Sequence, residues 1–187
     1  MNVEKVEKAV ETILDEIGEN PDREGLKETP NRVARMYQEV FKGLNEEPPN
    51  LKAFTNKDGY DQMIVEDRIP YYSYCEHHLV PFFGEAHFGY VPNGKYIGLS
   101  KIVRTVTHFA RKPQIQERMT EEIADFLFEN LQPHGLMVLI EGRHLCVESR
   151  GAKKSGVKTT TSAIRGDFDK TEFFDIIGYK ERGNRIG

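Results

Sequence analysis

Tyr74-Cys75-Glu76-His77-His78 gathers more metal-binding and acid–base side chains than any other stretch of this sequence. Cys75-x-x-His78 has the short chelating spacing found in zinc sites. A second half-site lies about 70 residues on, in Gly142-Arg143-His144-Leu145-Cys146-Val147-Glu148. Read as one strand, that segment turns His144 and Cys146 to the same face. Cys75, His78 and Cys146 are therefore the expected ligands, and two thiolates with an imidazole suit Zn2+. Three protein ligands leave a fourth position for water, whose pKa a bound zinc lowers from 15.7 to about 7. A closed structural site is the other reading, with His77 or His144 as fourth ligand. If the site is open, His77 and His144 are left beside it for general acid–base work near neutral pH. Otherwise they are buried supporting residues. His87, His108 and His134 read as structural.

Two further clusters concern binding. Ser100 reads as a helix N-cap, with Lys101 and Arg104 three apart on one face. Cations in a first helical turn oppose the helix dipole, and an anion held there would resolve the conflict. A solvated basic face is the bland alternative. Arg150, Lys153, Lys154 and Lys158 add positive charge close to Cys146 in sequence. Gln116 and Glu117 open another helix, where Glu117 is either a dipole-favoured residue or a carboxylate free to accept hydrogen bonds from a ligand.

These residues need elements to hold them. Val3, Val6, Val10, Ile13, Leu14 and Ile17 recur at helical spacing up to Gly18, and Thr29-Pro30 reads as the N-cap and first position of a second helix ended by Gly43. Leu44 to Tyr60 reads as a loop. Met63–Tyr74 reads as a strand interrupted by Pro70, and Phe82–Val91 as another, turning at Pro92-Asn93-Gly94 into Tyr96–Leu99. Helices are expected over Lys101–Lys112 and Ile115–Leu131, then a long strand over Leu136–Glu148, a strand over Thr159–Arg165 and a short helix over Thr171–Ile177. This order predicts an α+β fold with an antiparallel sheet, preceded by an N-terminal helical segment. Boundaries of 1–55 and 56–187 follow.

The bulk composition narrows the partners. The chain has 187 residues, a net charge of −4 and 30% charged residues. It is not expected to attract nucleic acid or membrane surfaces generally. The N-terminus is acidic and helical in period, so it does not read as a secretory signal, and a cytoplasmic enzyme is expected. With only Cys75 and Cys146 available, a disulfide is disfavoured in a reducing compartment.

Cys75–Gly84, Ile97–Arg104, Arg111–Met119 and His144-x-Cys146 followed by Arg150-Gly151 resemble GTP cyclohydrolase I of the zinc-dependent type; residues 20–37 resemble its N-terminal helices. The resemblance runs in order along nearly the whole chain. It implies the tunnelling fold, with helices packed on one side of the sheet, and a homodecamer of two stacked pentameric rings with active sites between subunits. It implies hydrolysis and ring rearrangement of GTP to 7,8-dihydroneopterin triphosphate and formate. Zinc then falls to Cys75, His78 and Cys146, and acid–base catalysis to His77 and His144. Ser100, Lys101, Arg104 and Arg150 would hold ribose and triphosphate. Gln116 and Glu117 would hold guanine, whose adjacent N–H donors suit a carboxylate. Glu76 would be a supporting residue. Tyr74, Ser149 and Val157 depart from the family pattern. Zinc nucleobase deaminases, the other enzyme class with similar ligands, need motifs this sequence lacks. A zinc-stabilised binding module without turnover is the non-enzymatic alternative.

Overall fold

The computed structural model of the chain describes residues 1–179, so the end of the expected 56–187 domain lies outside the described residues. The chain divides into two units, Met1–Glu46 and Glu47–Gly187. In the first, α1 (Val3–Glu16) starts at Asn2, whose side chain accepts from the Lys5 N–H, and ends before Gly18 at φ 86°. In helix α2 (Thr29–Val40) the N-cap position is Glu28, whose side chain makes no capping hydrogen bond, and Thr29 is already helical. Pro30 occupies the first turn, where its missing N–H has no intrahelical partner to lose. Asn31 donates to Glu7 across the two helices (2.6 Å).

Among the described residues of the second unit, the strands are β1 (Ala53–Thr55), β2 (Ile64–Cys75), β3 (Pro81–Val91), β4 (Lys95–Ile97), β5 (Pro113–Gln114), β6 (Gly135–His144) and β7 (Thr159–Gly166). The main sheet runs β5-β2-β3-β6-β7, and β1 pairs separately with β4. Among the described residues, only the short β2–β5 pairing is parallel. Three expectations change here. β1 lies inside the expected loop over residues 44–60, and its three residues carry no periodic signal apart from their partner. Pro70 does not interrupt β2. It pairs in register with Glu85, where β5 does not reach, so the missing N–H faces an open strand edge. β6 stops at His144 instead of continuing to Glu148, and the next four residues form a helical turn, α5 (Leu145–Glu148).

Helices α3 (Leu99–Ala110) and α4 (Gln116–Leu131) cover one face of the sheet. Ile102, Val106, Met119, Ile123 and Leu127 bury against Ile69, Tyr71, Phe82, Phe88, Leu136, Val138 and Ile140. The N-cap of α3 is Gly98, not Ser100. The expectation of helices on one side holds for α3 and α4 but not for α6 (Lys170–Ile176), which seats Phe173 and Ile177 on Met137 and Leu139 of the other face. Covered on both faces, β6 is buried from Gly135 through Ile140, which explains its unbroken apolar run. Among the described residues no helix is long and apolar enough to cross a membrane.

Candidate metal centre

Where β2 ends, the chain turns tightly. Leu79 N–H donates to Cys75 O (2.8 Å), Cys75 N–H donates to Val80 O (2.9 Å), and Leu79 takes φ 52°. The turn brings His78 back beside Cys75. Glu76 N–H is held by Gln114 O (3.0 Å), so β5 fixes the turn from outside. The second half-site is built differently from expectation. Cys146 lies on the α5 turn, so strand alternation does not place it; helical geometry does. Arg143 grips Glu148 with two hydrogen bonds (2.9 and 2.6 Å), bracketing that turn. Ser149 Oγ donates to Leu145 O (2.6 Å).

The result is a cluster in which ligand atoms of Cys75, His78 and Cys146 all lie within 4.8 Å of one another. Cys75 is buried, while Cys146 and His78 open toward solvent. Burial pushes the Cys146 thiol up, and the adjacent Cys75 adds to this. Two sulfurs and an imidazole converging from segments about 70 residues apart form a soft donor set that fits a zinc-type ion. Arg150 Nη1 donates to His78 Nε2 (2.7 Å), tying the basic segment to this cluster.

His77 and His144 flank it. His77 is exposed, with Nδ1 3.6 Å from Cys75 Sγ. His144 stacks on Phe82, with ring centroids 4.7 Å apart and planes 3° from parallel. Burial lowers its pKa, while the charges of Glu117 and Glu148 act the other way. His144 Nε2 lies 2.9 Å from Gln116 Oε1.

Gln116 meets a different arrangement from the base contact expected of it. It is 1% exposed. Its Nε2 donates to Ile140 O (3.0 Å), Thr159 O (3.1 Å) and Thr161 Oγ1 (3.1 Å). Two carbonyl acceptors fix the amide's orientation, so Oε1 must be the atom facing His144. His144 Nε2 therefore carries a proton. Glu117, next in sequence, is exposed.

Arg118 is a residue that sequence reasoning missed. It bonds Glu76 Oε2 (2.5 Å), Gln114 Oε1 (3.0 Å) and Pro113 O (3.2 Å), bracing the turn that carries His77 and His78. Its position one residue past Glu117 was the available signal. Ser100 and Arg104 lie exposed on α3 and Lys101 is half-buried. Hydrogen bonds and ion pairs among the described residues link none of the three to the cluster.

A family model for GTP cyclohydrolase I matches residues 6–177. The chain belongs to the GTP cyclohydrolase I family. Relatives named GTP cyclohydrolase 1 include one from Clostridioides difficile, 53% identical over 169 residues and 89% of each chain. Another, from Carboxydothermus hydrogenoformans, is 51% identical over 184 residues and 95% of each chain. One from Bacillus pumilus is 53% identical over 170 residues, covering 90% of this chain and 89% of the relative. GTP cyclohydrolase I enzymes are metal-dependent, and Cys75, His78 and Cys146 form one group of donors here that could hold a metal ion. Two departures from the family pattern have a visible setting: Ser149 bonds back within α5, and Val157 is exposed. Tyr74 pairs with Pro81 and Pro113 in the sheet.

Proposed function

We propose a division of labour for the GTP cyclohydrolase reaction in this chain. The reaction converts GTP into 7,8-dihydroneopterin triphosphate and formate, the first step of folate and pterin biosynthesis. The observation that carries the reading is the convergence of Cys75, His78 and Cys146 within 4.8 Å. These three would hold Zn2+. When bound, the ion supplies an acidified water for attack on the guanine ring carbon that leaves as formate.

His144 keeps the proton on Nε2 because Gln116 Oε1 accepts it. Its Nδ1 is then the nitrogen that takes up and gives back a proton during ring opening. Burial favours the neutral ring at rest, so Nδ1 is available as a base before it acts as an acid. Stacking on Phe82 fixes the plane of the ring. His77, exposed on the braced turn, relays protons to and from solvent. Gln116 is a positioning residue in this scheme, and Glu117 is left to accept the paired N–H donors of guanine. That pairing rejects adenine, which cannot supply them.

Ser100, Lys101, Arg104 and Arg150 bind ribose and triphosphate. Helix α3 exposes Leu99 and Val103 beside Ser100 and Arg104, the composition of a surface another subunit covers. A homodecamer of two pentameric rings, acting in the cytoplasm, would bring α3 of one subunit to the cluster of another. Light scattering tests the assembly.

Formate release from GTP tests the function. Zinc-loaded protein should release formate, chelated protein should not, and added Zn2+ should restore it. Zinc-loaded protein that binds GTP without releasing formate would establish the binding module instead.

A further inference from the structure

On the opposite face of the sheet from Cys75 and Cys146, a second set of donors converges: Glu85, His87 and Glu141, with ligand atoms within 4.8 Å of one another. Three features make it more than an acidic patch. First, Glu85 and Glu141 are direct partners in the β3–β6 register. Like charges placed opposite each other across antiparallel strands destabilise the sheet unless a cation lies between them. Second, His87 is 5% exposed and its Nε2 has no hydrogen-bond partner. Third, its other nitrogen is committed: Nδ1 lies 2.5 Å from Asp67 Oδ1. A carboxylate only accepts, so Nδ1 carries the proton, and in the neutral ring Nε2 is then the nitrogen with a lone pair. The Arg68 N–H also approaches Nδ1, but at 3.5 Å it is far the weaker contact.

In the neutral ring that lone pair is buried, and Nε2 lies 3.9 Å from Glu141 Oε2. That separation is too long for a hydrogen bond. It suits two ligands of one ion, since atoms each about 2.1 Å from a metal lie at most about 4.2 Å apart. Asp67 then plays the part of the carboxylate that orients a metal-bound histidine and raises its basicity. A cavity of about 320 Å³ reaches Glu85 and Glu141, leaving room for waters to complete the coordination. Lys158, whose Nζ lies 3.0 Å from Glu141 Oε2, is the cation now partnering that carboxylate.

We propose that Glu85, His87 and Glu141 form a second metal site for a divalent cation that prefers oxygen and imidazole donors, such as Mn2+, distinct from the cysteine cluster. Asp67 positions His87, and Lys158 competes with the ion for Glu141. The site is independent of the reaction assigned above.

The test is titration of zinc-loaded protein with Mn2+, reading free Mn2+ by electron paramagnetic resonance and zinc by elemental analysis. One Mn2+ per chain is expected beyond the zinc. The Glu85→Gln/Glu141→Gln double variant should lose it while keeping its zinc, which shows that the fold and the cysteine cluster survive. Asp67→Asn, which leaves all three ligands in place, should weaken Mn2+ binding about 10- to 100-fold. Lys158→Met should tighten it. Absence of Mn2+ binding in the wild type, or equal binding in the double variant, overturns the proposal.

Discussion

The two donor clusters differ in how the chain builds them. Cys75, His78 and Cys146 sit where strands end, on a tight turn and a single helical turn. Glu85, His87 and Glu141 sit inside strands, placed by register alone, with Asp67 brought in at the irregularity between Glu66 and Ile69. Turn-borne ligands leave one side open to solvent and substrate. Strand-borne donors are held by the sheet, with His87 buried, Glu141 half-buried and Glu85 exposed. The first arrangement suits turnover and the second suits holding an ion.

The largest effect should separate the clusters outright. Cys146→Ser should cut formate release on the order of 10³-fold or more, because the water is no longer acidified. Glu85→Gln should leave it within about 2-fold, as expected for an exposed side chain away from the chemistry. A variant of Glu85 as damaging as that of Cys146 would erase the contrast. Within the first cluster, Gln116→Met should lower kcat about 10²-fold, the size of a general acid–base contribution. KM for GTP should stay nearly constant, whereas a lost guanine contact would raise it. Steady-state kinetics with GTP decides between them. Gly142→Ala should act in the same direction and also destabilise, since an added Cβ would lie 2.4 Å from Gln116 Oε1 and 2.5 Å from Tyr71 Oη.

The smallest effect concerns Glu66, a carboxylate near Asp67 with no imidazole of its own. Its Oε2 is buried without a partner, and burial pushes its pKa up to about 6 from 4.5. As pH rises from 4.5 toward 6, the unfolded chain gives up this proton before the folded one, so folding loses stability across that window. Above it the penalty is complete. Glu66→Gln should therefore stabilise the protein at pH 7 by about 1 kcal/mol after allowance for solvent screening, and not at all below pH 4.5. Denaturant titrations at the two pH values measure this.

Much of the sheet was legible because its signals are local. The periods of β2 and β3, and the apolar stripes of α3 and α4, mark elements whose burial follows directly from spacing. β1 escaped because a three-residue strand has no period, and Pro70 misled because an edge position cannot be recognised without the neighbouring strand. Cys146 does lie beside Cys75 and His78, but strand alternation is not what puts it there. Strand alternation suggested the pairing, but β6 ends one residue earlier than Leu145 and a helical turn presents the sulfur.

What the sequence determined by itself was the family and which candidate donors meet at the cysteine cluster, because side-chain chemistry and motif spacing are written in residue types. The tertiary structure decided what those spacings cannot encode. It turned Gln116 inward onto His144, because two carbonyl oxygens and Thr161 claim its amide nitrogen. It placed His87 between Asp67 and Glu141, because register brings together residues that are dozens of positions apart along the chain.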